Sequence, residues 1–375
     1  MKSSIRYNFK SMKNPVKKNF IIFLFILLLL LSSCGSSAKN NAAKKETLYV
    51  YNWGIYIDKS VIDSFREKYN CEVVYDEFDT NEEMYAVVSK GARVYDVLCP
   101  TDYMIEKMIN QDLLYEYNID TLPNYENIDK RLLDIMSSFD KNNTYAVPYV
   151  HSTLGLIYNK TELDRKKLKY PNKWSDLWDG SYKGEILMQD AMRDLLMVGL
   201  KKNHFSLNTK NQNELDIATN DLIKQKPLVN AYMIDDLRDK MVGANGSIAV
   251  MYSGEVEYIK SEGAPYEYEY ILPEEGVNFT IDAWVIPKNA KNPELAKKWI
   301  DYMLEPEIAL KNYDYMHYGI ANLKTIELIK VRDGENILHD EAIFPNLDNI
   351  GMYELYKDLG DFEENYSDAY KKIKS

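Results

Sequence analysis

The spacing of apolar positions changes several times along the chain, and each change predicts an element. TLYVYNW, from Thr47, sets Leu48 and Val50 two apart among tyrosines, the period of a strand. SVIDSFREKY then places its apolar residues at helical spacing, CEVVYDEF returns to a strand, and NEEMYAVVSKG is a helix ended by Gly91. YDVLCP is a strand stopped by Pro100, and DYMIEKMINQDLL is a further helix. Strands and helices taking turns predict a parallel sheet covered on both faces. A second block alternates in the same way, from YAVPYVHSTLGLIYNK through GEILMQDAMRDLLMVGLKKN to GSIAVMYSGEVEYIKSEG. YEYEYILPEEG closes it, and AWVIPKNAKNPELAKKWIDYML resumes the first style.

The region after the basic and apolar N-terminal segment, about 330 residues, is too long for one ordinary core. Two α/β lobes with a ligand cleft between them follow, joined by crossings near Val150 and Thr280. The expected division is 47–151 with 281–330 as lobe 1, and 152–280 with 331–375 as lobe 2.

The first 33 residues read differently. Lys2, Arg6, Lys10, Lys13, Lys17 and Lys18 come with no acid, and the apolar run NFIIFLFILLLLL follows. LSSCG then ends the run with small residues, so 1–33 has the build of a secretory signal, too short to span a bilayer comfortably. A cysteine directly after Leu-Ser-Ser resembles a bacterial lipoprotein box, which implies cleavage before Cys34 and lipid on it. Residues 34–46 then form a flexible polar tether at the periplasmic or extracellular face of the cell membrane. The alternative is an uncleaved anchor helix.

Without the leader, 40 Lys and Arg face 58 Asp and Glu, a net charge of about −18 against −12 for the whole sequence. That balance disfavours nucleic acid and draws cations, although it serves solubility equally well. Cys71 and Cys99 sit in apolar, strand-like stretches and are expected as buried free thiols, with a disulfide between them left open. His151, His204, His317 and His339 are scattered and no Cys-x-x-Cys occurs, so neither metal nor other cofactor is expected.

Aromatics at strand ends carry the candidate chemistry. NWGIY and CPTDY both fall at the carboxyl end of an expected strand, where α/β sheets bind ligands. Trp53 and Tyr56 therefore either cover a core edge or wall a site.

Six stretches in register carry a resemblance: LYVYNWGIYI, NEEMYA, YDVLCPTDYMIEKM, WSDLWDGSYKGEILMQD, DAWVIPKNAKN and HYGIANL. In this order they resemble bacterial spermidine/putrescine-binding proteins, the substrate-capturing subunits of polyamine ABC importers, over about Leu48 to Lys374. The resemblance implies a type II periplasmic-binding-protein-like fold, no enzymatic activity, and a monomer that hands its ligand to a permease and an ATPase. A polyamine is a methylene chain with an ammonium at each end, so its site needs separated carboxylates and aromatic walls. Ammonium over a ring contributes about 0.5–2 kcal/mol and a charge-assisted hydrogen bond about 1.5–3 kcal/mol.

Carried over by motif, Trp53 and Tyr56 match the family's aromatic wall, and Thr101 and Tyr103 its hydroxyl and tyrosine pair. Asp282 matches the carboxylate on one terminal amine, and Asp194 lies where an acid addresses the other end. Tyr252 stands for a wall tryptophan, Tyr318 matches a pocket tyrosine, and a polar family position falls near Tyr356. Ile55, Ala191 and Thr280 depart from the pattern, the first two where acids occur and the third where an aromatic does. Phe279, beside Thr280, is a candidate to turn inwards instead. Glu255, three residues after Tyr252, replaces lost charge if it faces the cleft; otherwise it is a helix N-terminal acid.

Plainer roles stand beside these. Asp282 precedes AWVIP and would cap a turn; Asp194 would be an exposed helical acid; Tyr103 and Tyr318 would be ordinary half-buried phenols among 31 tyrosines. Asp190 and Arg193 read as a helix cap and an internal partner, and Trp174, Trp178, Trp284 and Trp299 as packing. Rival functions are the same fold holding another ligand, an exported hydrolase, for which no nucleophile elbow, phosphate loop or zinc signature occurs, and a tethered polyamine sensor.

Overall fold

β1 (Thr47–Trp53) starts the molecule, and its alternation decides which side chains reach each face. Leu48 and Val50 enter one core while Tyr51 enters another. The structure, a computed structural model, describes residues 45–234, 236–263, 265–347 and 350–375. The expected signal at 1–33, the lipidation at Cys34 and all but the last residues of the 34–46 tether lie outside the described residues. Residues 46–375 form one compact unit. Among the described residues no helix is long and apolar enough to cross a membrane.

The first wing alternates as its sequence predicts: α1 (Lys59–Tyr69), β2 (Glu72–Phe78), α2 (Asn81–Ser89), β3 (Val97–Leu98), α3 (Asp102–Asn110) and α4 (Lys130–Met136). Asp58 caps α1 through the Ser60 amide, and Thr80 caps α2 through the Glu83 amide. The chain then crosses on β4 (Ala146–Asn159), buried at every one of its 14 positions. The second wing holds α5 (Lys160–Lys166), β5 (Ile186–Gln189), α6 (Met192–Lys202), α7 (Gln212–Gln225), β6 (Val229–Met233), α8 (Asp236–Val242), β7 (Ile248–Tyr252), α9 (Glu255–Glu262) and β8 (Tyr268–Ile271). β9 (Val277–Val285) returns to the first wing, which ends in α10 (Pro293–Met303), α11 (Pro306–Met316), β10 (Gly319–Ile320) and α12 (Leu323–Asp333). β11 (Tyr353–Glu354) and α13 (Glu363–Lys374) close the chain, with α13 packed on α6 and α7.

Strand order is β2-β1-β3-β9-β4-β7-β5-β6, with β8 and β10 on β4 and β11 on β9. The wings are parallel, β2-β1-β3 on one side and β7-β5-β6 on the other. The centre is not: β4 is antiparallel to β9, β7 and β8, and β3 is antiparallel to β9. The expected all-parallel sheet is therefore corrected to a mixed one. An outgoing strand and its return lie side by side, and neighbours of opposite direction pair antiparallel. The architecture is an α/β periplasmic-binding-protein-like fold with two lobes and a cleft between them.

Packing in the sequence-assigned places holds up. Trp174, Trp284 and Trp299 have no exposure, and the Trp174 indole N–H donates to the Gly276 carbonyl at 2.8 Å. Trp178 donates to the Asp221 carbonyl at 2.8 Å. Cys71 and Cys99 are both buried, and no disulfide joins them.

Candidate functional site

Asp282 anchors the site, and the centre of a strand holds it there. It lies inside β9, paired in register with Val150, so it caps no turn; the strand begins six residues earlier than AWVIP implied. Thr101, at the N-cap of α3, meets it in an isolated bridge, and the Thr101 hydroxyl donates to Oδ1 at 2.6 Å. The Tyr56 hydroxyl donates to Oδ2. Burial pushes the Asp282 carboxyl up to about 6 against the pull of these two donors.

Residues 53–56 form the turn that delivers Tyr56. Ile55 sits at φ 53°, unusual for a β-branched residue, and is 39 % exposed. The turn places Trp53, Ile55 and Tyr56 all along one cavity. The Trp53 ring lies 4.6 Å from Phe78, and its indole N–H is buried without a hydrogen-bond partner. Tyr56 meets the Tyr318 ring edge-on at 5.3 Å.

Asp194 comes from the first turn of α6 and is 5 % exposed. The Tyr252 and Tyr356 hydroxyls each donate to its Oδ1 at 2.9 Å. Burial again raises the carboxyl to about 6, the two hydroxyls oppose this, and the Glu82 charge adds to it. It is a buried acid, not an exposed helical one. Glu255 opens α9 and accepts the Tyr318 hydroxyl at 3.2 Å, with the Arg238 guanidinium 3.6 Å from its other oxygen. Tyr103 donates to Glu82 at 3.0 Å and accepts from the Asn81 amide at 3.2 Å.

All nine expected residues, Trp53, Tyr56, Thr101, Tyr103, Asp194, Tyr252, Glu255, Asp282 and Tyr318, line this one cavity, about 1070 Å³ with its open mouth included. Neither Asp194 nor Asp282 makes an ion pair among the described residues. A hollow with buried acids and phenolic walls is suited to a cation with an apolar body.

Two expectations change. Phe279 does not turn inwards: it packs with His151 and Tyr353 at 5.5 and 6.0 Å, while Thr280 lines the cavity and bonds Ser152 at 2.9 Å. Strand alternation puts 280 and 282 on one face and 279 on the other. Asp190 caps no helix either; Ala191 holds the N-cap position, and the Asp190 carboxylate takes the Tyr370 hydroxyl and the Lys374 ammonium. Arg193 is an internal partner, bonded to the Lys357 and Leu207 carbonyls and to Asn208.

Sequence reasoning put a polar family position near Tyr356 and left Glu82, Ser152 and Gln189 out of the site, though all four line the cavity. Glu82 lay in the quoted stretch NEEMYA, whose order alone does not say which glutamate faces inwards.

Comparison with known proteins agrees with this architecture. The family model described as bacterial extracellular solute-binding protein matches residues 60–337. A spermidine/putrescine-binding periplasmic protein of Salmonella typhimurium is 30% identical over 337 residues, 89% of this chain and 93% of that one. A solved structure described as a spermidine/putrescine ABC transporter from Listeria monocytogenes is 36% identical, with a TM-score of 0.81, covering 88% of this chain and 99% of that one. The spermidine/putrescine substrate-binding protein of Streptococcus pneumoniae is 34% identical with a TM-score of 0.73 over the same shares.

Proposed function

The chain belongs to the bacterial extracellular solute-binding protein family, whose members are substrate-binding proteins of transporters and not enzymes, and from that membership we propose that it captures a polyamine outside the cytoplasm and delivers it to an ABC importer. The observation that carries the ligand assignment is the pair Asp194 and Asp282, both buried, both without an ion-pair partner among the described residues, with aromatic walls along the same cavity. Two desolvated carboxylates without counter-ions are costly to keep empty, and an ammonium at each relieves that cost.

Trp53, Tyr56, Thr101 and Tyr103 come from lobe 1, taken as 47–151 with 281–330. Asp194, Tyr252 and Glu255 come from lobe 2, taken as 152–280 with 331–375. Asp282 and Tyr318 belong to the 281–330 part of lobe 1. A diammonium guest bridges the two sets, so the closed form gains contacts that the open form lacks. Only that difference in affinity shifts the population towards closure. The closed monomer then docks on a membrane permease with its ATPase. Lipid on Cys34 holds it at the membrane surface, and loss of palmitate labelling in Cys34→Ala checks the anchor.

Thermal unfolding with a panel of solutes tests the ligand class. Putrescine, cadaverine or spermidine at about 100 times its dissociation constant should raise the unfolding free energy by about 2.7 kcal/mol. Stabilisation by a sugar or an anion, with none by any amine, would assign the site to another ligand.

A further inference from the structure

Five carboxylates line the cavity, and they are not equivalent. Asp194 and Asp282 each hold two hydroxyl donors, and Glu255 faces Arg238. Asp79 is exposed, and Glu82, half-buried, is the fifth. Its position in the first turn of α2 would ordinarily make it an acid serving the helix end. That work belongs to its neighbours: Thr80 accepts the Glu83 amide at 3.1 Å, and Glu83 accepts the Asp79 amide at 3.3 Å. Glu82 turns the other way, to the cavity, where Oε1 accepts the Tyr103 hydroxyl. Among the described residues it forms no ion pair.

Its place relative to the other acids is fixed by tyrosines. The Tyr103 ring lies 5.8 Å from Tyr356, whose hydroxyl bonds Asp194, so Glu82 and Asp194 flank one tyrosine pair. On the other side, Asn81 bonds both the Tyr103 hydroxyl and the Thr101 amide, and Thr101 bonds Asp282. Glu82 thus connects to each buried acid through neighbouring side chains, and its charge raises the Asp194 carboxyl. The nearby Arg193 guanidinium stacks on Tyr103 and Tyr356 at 5.2 and 4.7 Å, and its hydrogen bonds go elsewhere, to two carbonyls and Asn208.

Resting on the polyamine reading, we propose that Glu82 is a ligand carboxylate for a third ammonium and sets a preference for a triamine over a diamine. A diamine is satisfied by Asp194 and Asp282 alone. A triamine brings one more charge, which Glu82, half-buried and still an acceptor at its second oxygen, is placed to receive.

Calorimetry on the full chain with spermidine and putrescine tests this in Glu82→Gln, which keeps an acceptor for Tyr103 and removes the charge. The preference for spermidine over putrescine should fall about tenfold or more, the loss of one charge-assisted bond. Glu83→Gln, at the helix end, should leave that preference unchanged. A smaller fall in Glu82→Gln, or an equal loss for both amines, overturns the proposal while the polyamine reading stands. If the unaltered chain binds neither amine, both fail together.

Discussion

Asp194 and Asp282 set the chemistry at the residue scale. Burial raises each carboxyl from an ordinary 3.8 to about 6, an expense on the order of 3 kcal/mol apiece when ionised. The sign follows from the direction. With the folded value above the unfolded one, the empty protein loses stability as pH rises from about 4 through 6. An ammonium favours the ionised form, so amine affinity is full above about pH 7 and falls as pH drops through 6. Binding near pH 6 therefore releases protons. Titration in two buffers of different ionisation enthalpy should give different heats at pH 6 and equal heats at pH 8; equal heats at both would contradict the assignment of these acids to the ligand.

At the scale of elements, the turn between β7 and α9 is fitted to a pocket tyrosine. A Cβ on Gly254 would lie 2.4 Å from the Tyr318 ring, closer than any real contact. Gly254→Ala must push Tyr318 or the turn aside, at about 1–3 kcal/mol of stability, and should weaken amine binding with it. Urea unfolding and calorimetry check both; a variant unchanged in both would mean that the ring relaxes freely. What the sequence makes legible here is the period. Strand–helix alternation places the NWGIY and CPTDY turns at strand ends, and both reach the cavity. What it hides is where a strand starts. Reading AWVIP as the strand left Asp282 outside it and Phe279 free to turn inwards, whereas nine buried residues from Val277 fix every facing. A fully buried strand shows no polar alternation, so its phase cannot be read from hydrophobicity alone.

Across the whole molecule, β4 and β9 tie the two wings and bring Ser152, Thr280 and Asp282 to the cavity wall. Alternation revealed the parallel wings. The antiparallel centre depends on which strand the returning chain lies beside, a long-range choice that no local spacing records. Asp194 and Tyr356 illustrate the same limit, since they are 162 positions apart and share a hydrogen bond. The central claim is that two buried acids lining this one cavity hold the ends of one polyamine. Titration calorimetry of residues 46–375 with putrescine, cadaverine and spermidine, beside the Asp282→Asn variant, tests it most directly. The account predicts saturable one-to-one binding of at least one amine, weakened about tenfold or more in the variant. No heat from any amine at millimolar concentration, or equal affinity in the variant, would contradict it.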